Sequence, residues 1–98
     1  MIDVAAQTLS ELRNILEQYL PESEVFLVGS RARGTDKPYA DVDLLLIRPP
    51  RLSKERRALI KSAFEESNIP YRVDLIEADD LTESFRDRLM VDAESLAG

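Results

Sequence analysis

The sequence predicts a small α/β domain of the α+β kind: a mixed β-sheet of three or more strands packed with helices, in the order α-β-(short α)-β-α-β-α. Three observations carry that prediction. Apolar residues recur at steps of three and four in three separate segments, short β-rich runs lie between them, and Gly29 and Pro49-Pro50 close the runs. With 98 residues, 44% of them hydrophobic and 33% charged, one domain over 1–98 is expected. A chain of this size buries about 65% of its unfolded surface. No internal repeat, low-complexity stretch or interdomain linker interrupts it.

Ala5, Leu9, Leu12, Leu16 and Tyr19 predict a first helix from about Asp3 to Tyr19, ended by Pro21. Glu24 to Val28 is a short strand closed by Gly29, and a short helical turn follows it. Val42 to Ile47 is apolar except for Asp43, the pattern of an interior strand covered on both faces, so Asp43 needs a reason to be there. Ser53 caps a helix that uses Leu59, Ile60, Ala63 and Phe64 and ends by Asn68 and Pro70. Tyr71 to Ile76 is the third strand. Asp80 with Glu83 makes a capping box for a last helix that uses Phe85, Leu89 and Ala93 and runs almost to Gly98.

Composition removes whole classes of chemistry. Without cysteine there is no disulfide, thiolate zinc site or thiol nucleophile, and without histidine there is no imidazole base or ligand. Catalysis must rest on carboxylates, Lys, Arg, Tyr or Ser. The net charge of -6 has the wrong sign for holding duplex nucleic acid through many phosphates, so stable DNA binding is not expected. No apolar run is long enough for a membrane span, and Met1-Ile2-Asp3 lacks the start of a secretory signal; a cytoplasmic location is expected.

The informative segment is Val28-Gly29-Ser30-Arg31-Ala32-Arg33-Gly34, followed by Asp41-Val42-Asp43. A strand that ends at Gly29-Ser30 and opens into a helical turn lets backbone N–H groups and a hydroxyl approach phosphate oxygens, with Arg33 available to neutralise charge. Asp41 and Asp43 lean to the same side of their strand, about 6.5 to 7 Å apart along the backbone, while Val42 points into the other layer. If the strand bearing Asp74 lies alongside, a third carboxylate joins them. An oxygen-only set suits a hard ion such as Mg²⁺. Asp-x-Asp by itself also reads as a charged guard on a strand edge, and Gly-Ser-Arg by itself as an ordinary turn; the weight lies in their combination.

Gly29-Ser30-Arg31-Ala32-Arg33-Gly34, Asp41-Val42-Asp43-Leu44 and Val73-Asp74-Leu75 together resemble the DNA polymerase β-type nucleotidyltransferases, and within them the minimal nucleotidyltransferase (MNT) domains, over roughly Leu9 to Leu96. The resemblance implies that Gly29 and Ser30 hold the triphosphate of ATP and that Arg33 contacts phosphate. Asp41 and Asp43 then bind two magnesium ions, with Asp74 completing one metal site and helping to activate the acceptor hydroxyl. One departure is Ala40, where the family usually carries Ser before the first Asp; a missing outer hydroxyl of that kind lowers metal affinity about 10-fold or more. Larger relatives append a helical domain, so the resemblance also implies that something else completes the cleft. The resemblance implies that this partner is a HEPN-family RNase toxin and this chain its antitoxin, transferring AMP to a tyrosine hydroxyl of the toxin. Two alternatives stand beside this: an inert antitoxin that acts by occlusion, and a transferase subunit that modifies a small molecule.

The other conspicuous residues have plainer expectations. Arg51, Lys54, Arg56, Arg57 and Lys61 read as the solvated face of the third helix. Tyr19, Tyr71 and the three Phe residues read as core or boundary packing, and Asp79 and Asp80 as caps of the last helix. Glu77, out of step with Asp74 on its strand, has no assigned role.

Overall fold

The computed structural model describes residues 4–33 and 41–98, with the side chains of Ser30 and Arg33 outside that description. Its elements are α1 (Ala6–Tyr19), β1 (Glu24–Val28), α2 (Ser30–Arg33), β2 (Val42–Arg48), α3 (Lys54–Glu66), β3 (Val73–Glu77), a 3-10 turn (Ala78–Asp80), α4 (Glu83–Met90) and β4 (Glu94–Ala97). The sheet order is β3-β2-β1-β4, with β2 parallel to β3 and β1 antiparallel to both β2 and β4. The mixed sheet packed with helices is the fold class that the sequence predicts.

Alternation along the strands sorts the core into two layers. Val25 and Leu27 of β1 with Val42, Leu44 and Leu46 of β2 face α1 and α3, where they meet Leu12, Leu16, Ile60 and Phe64. Val28 and Leu45 face the other way and are covered by Leu81, Leu89, Met90 and Ala93 from the α4 region. Leu44, Leu45 and Leu46 are all fully buried, so β2 is covered on both faces. Each such leucine contributes about 1.5–3 kcal/mol by leaving water. Among the described residues no helix is long and apolar enough to cross a membrane.

Local chemistry sets the ends of the elements. Ser53 caps α3 as expected, its hydroxyl accepting from the Arg56 N–H at 3.2 Å. The cap of α4 is Thr82, which accepts from the Phe85 N–H at 3.2 Å, and not Asp80. Asp80 is already engaged, accepting from Arg51 Nη2 at 2.7 Å, while Asp79 lies 3.5 Å from Arg51 Nε. The last helix is also shorter than expected. It stops at Met90, Ala93 packs beyond it, and the chain ends in the edge strand β4. Two expected core residues stay outside: Phe85, beside the Arg88 guanidinium, and Leu59.

The expected solvated face of α3 is partly tied down. Arg56 Nη1 donates to Tyr19 O at 2.6 Å, joining α3 to the end of α1. Arg57 Nη1 lies 2.9 Å from Glu77 Oε1, and Arg51 Nη1 lies 3.6 Å from Glu77 Oε2. This gives Glu77 its role. Only 4% exposed, it is a charged peg that joins β3 to α3 and to the Leu52 N–H.

Candidate active site

Gly29, Asp41, Asp43 and Asp74 lie at one end of the sheet, where β1 ends and β2 and β3 begin, with Asp43 and Asp74 on the face opposite α1 and α3. Strand β1 must turn sharply after Val28, and Gly29 makes that turn at φ +77°, a conformation that L side chains adopt only with strain. The sheet register places Val28 opposite Asp43 and Asp43 opposite Asp74. In a parallel pair, side chains at matched positions lean to the same face, so Asp43 and Asp74 are neighbours on β2 and β3. The Val42 N–H donates to Arg72 O at 2.8 Å, extending the pairing to the first residue of β2, just after Asp41.

Gly29 is required here for a second reason. A Cβ built on it would lie 2.8 Å from Asp43 Oδ2, closer than any side chain tolerates. The Asp43 carboxylate therefore rests against the bare backbone of the turn.

The electrostatics follow from this packing. Burial pushes the Asp43 pKa above the usual carboxylate value, and the charges of Asp74 and then Asp41 push it further. Asp74 Oδ1 has a partial counterion in Arg72 Nε at 3.5 Å. Among the described residues no three carboxylates are gathered tightly enough to form a finished metal cluster. The donor chemistry nonetheless suits a hard divalent cation: the side chains on offer are carboxylates, and the charge of Asp43 is set against those of Asp74 and Asp41.

A residue that sequence reasoning passed over secures the turn. Arg31 of α2 is 3% exposed, with its guanidinium 3.8 Å from the centre of the Tyr71 ring. Tyr71 immediately precedes the strand that carries Asp74, so this stacking contact fixes the Gly29 turn relative to β3. The signal was present in the spacing of Arg31 and Arg33, only one of which can face a ligand across a short turn. Gly34 and Ala40, like the side chains of Ser30 and Arg33, fall outside the described residues.

Likenesses to known proteins bear on this site. The nucleotidyltransferase domain profile matches residues 9–95. The chain is 37% identical over 86 residues to the probable protein adenylyltransferase MntA of Haemophilus influenzae, covering 88% of this chain and 75% of that protein. It is 36% identical over 77 residues to an aminoglycoside (3'') (9) adenylyltransferase of Klebsiella pneumoniae, covering 76% of this chain but only 29% of that enzyme. Among solved structures, a mutant of the toxin-antitoxin pair MntA-HpeT superposes with a TM-score of 0.74 over 92% of this chain and 73% of that one. At 16% identity that match speaks for the shared fold.

Proposed function

We propose a function from one established premise: the chain belongs to the nucleotidyltransferase domain family. On our reading it is a Mg²⁺-dependent protein adenylyltransferase and the antitoxin of a cytoplasmic toxin-antitoxin pair. It transfers AMP from ATP to a tyrosine hydroxyl of a HEPN-family toxin and so neutralises it. The observation that carries this reading is the Asp43 carboxylate, seated against Gly29 and in register with Asp74. The homologue named as a protein adenylyltransferase, matched over most of both chains, supports a protein acceptor. The aminoglycoside enzymes match over only 29% of their length, which leaves small-molecule transfer as the weaker reading.

The chain's residues divide the work. Gly29 and Ser30, with Arg33, receive the triphosphate, since the turn offers backbone N–H groups and no side chain at its apex. Asp41, Asp43 and Asp74 are the proposed ligands of two Mg²⁺ ions. Divalent cations held there would lower the pKa of the acceptor hydroxyl and neutralise charge on the departing pyrophosphate. Asp74 is the ligand we assign to completing one metal site and helping to activate the acceptor hydroxyl. No covalent enzyme intermediate is required, as alignment and charge neutralisation supply the rate.

The test is incubation of the chain with α-labelled ATP, Mg²⁺ and its cognate toxin. Label on the toxin that disappears with Asp41→Ala or Asp43→Ala supports transfer. Full neutralisation of the toxin by the double variant would instead establish occlusion.

A further inference from the structure

A groove runs between α3 and the outer edge of β3, reaching from the core at Ile60 and Phe64 to Asp74 of the candidate site. It encloses about 250 Å³, with Ile60, Phe64 and Val73 on its floor and Lys61, Glu65 and Arg72 among its lining residues. Among the described residues, strand β3 is hydrogen-bonded to β2 alone. Because the Val42 N–H donates to Arg72 O, the Arg72 carbonyl faces β2, and the alternate residues Val73 and Leu75 present their backbone groups outward. Arg57 Nη2, reaching Leu75 O at 3.2 Å from the helix side, marks that outward direction.

We propose that this edge pairs with the β3 edge of a second copy of the chain, the two strands running antiparallel about a two-fold axis through Val73. The sequence around that axis is self-complementary. A dyad at Val73 sets Arg72 opposite Asp74 of the second copy and Asp74 opposite its Arg72, on the sheet face that carries the candidate site. Within one chain Arg72 and Asp74 are already 3.5 Å apart and both partly exposed, so pairing builds an alternating square of four charges. Val73 faces Val73, and each donates its N–H to the other's carbonyl. On the helix side Lys61 and Glu65, one turn apart and of opposite sign, meet their counterparts in the same sense. Leu75 O keeps a second lone pair, so the Arg57 bond is compatible with the pairing.

This arrangement places a foreign cation in the site: Arg72 of the second copy lies beside Asp74. It also fixes the spacing of the two sites, since the two β2 strands are separated by three strand intervals, about 14 Å. Its test needs no nucleotide, so a failure of the pairing is distinguishable from a failure of AMP transfer.

Sedimentation of the full chain at micromolar concentration, without nucleotide, tests it. The wild type is expected at dimer mass. Arg72→Asp, which sets like charges across the axis twice, and Val73→Pro, which removes the outward N–H, should each weaken association about tenfold or more. Arg72→Asp combined with Asp74→Arg restores opposite charges and should recover the dimer, which a variant that merely misfolds would not do. A monomeric wild type overturns the proposal and leaves Arg72 and Asp74 as guards of a bare edge. So does a dimer indifferent to both single substitutions, a charge-swapped pair no better than Arg72→Asp, or a monomer whose β3 edge gains hydrogen-exchange protection only with a protein partner.

Discussion

The Asp43 carboxylate occupies the space that a side chain at position 29 would need, with Oδ2 lying 2.8 Å from where a Cβ would be. The turn and the acidic strand are thus one unit, and a change in either is felt in the other. Gly29→Ala carries both the positive-φ penalty and this clash. It should cost about 1–3 kcal/mol of stability and displace Asp43 from the turn. Thermal unfolding of the variant, with nucleotide binding on the folded fraction, measures both effects.

The raised pKa of Asp43 gives the pH dependence a sign. Because the folded state holds this proton more tightly than the unfolded state, the group does not oppose folding below its ordinary value of 3.8, and it does so increasingly as pH rises through its raised folded value. Above that value the cost is complete. Asp43→Asn should therefore raise the melting temperature of the metal-free protein at neutral pH and flatten its dependence on pH just above 3.8. Added Mg²⁺ should stabilise the wild type more than the variant, and a melting series in pH and Mg²⁺ compares the two.

Glu77 predicts an asymmetric result. Removing Arg57 leaves a carboxylate that is 4% exposed, with the Leu52 N–H at 3.4 Å and the more distant Arg51 guanidinium at 3.6 Å. Arg57→Leu should cost about 2–4 kcal/mol. Adding Glu77→Leu should recover part of that loss by removing the stranded charge. A double-mutant cycle in denaturant reads the coupling directly.

The stack of Arg31 on Tyr71, 3.8 Å from guanidinium carbon to ring centre, should help to hold the turn. Tyr71→Leu keeps apolar bulk and loses the ring face, so it should cost about 1 kcal/mol and weaken nucleotide binding more than it lowers the melting temperature. Calorimetry beside thermal unfolding separates the two effects.

What the sequence revealed depended on the range of the interaction. The α1 stripe, the Ser53 cap and the apolar run of β2 are local patterns, and each was legible. Asp43 was legible as an anomaly because a carboxylate breaks an otherwise apolar strand, and the parallel register that seats it by Asp74 follows from two strands joined through a helix. Strand β4 was missed because Glu94-Ser95-Leu96-Ala97 is short and poor in β-branched residues; its pairing with β1 makes it a strand. The Thr82 cap was misassigned to Asp80 because both residues can cap, and the choice is made by Arg51, which is remote in sequence and takes Asp80 at 2.7 Å. Glu77 had no visible partner for the same reason: Arg57 lies on a helix that by charge alone looks wholly solvated.

The central claim is that Asp41, Asp43 and Asp74 act with the Gly29 turn as one receptor for divalent cations and the triphosphate of ATP. Calorimetric titration of a non-hydrolysable ATP analogue, with and without Mg²⁺, into the wild type and into Asp41→Asn, Asp43→Asn and Asp74→Asn measures it most directly. The account predicts saturable binding that requires Mg²⁺ and falls at least about tenfold in each variant. Binding of equal strength in all four proteins, or binding indifferent to Mg²⁺, would contradict it.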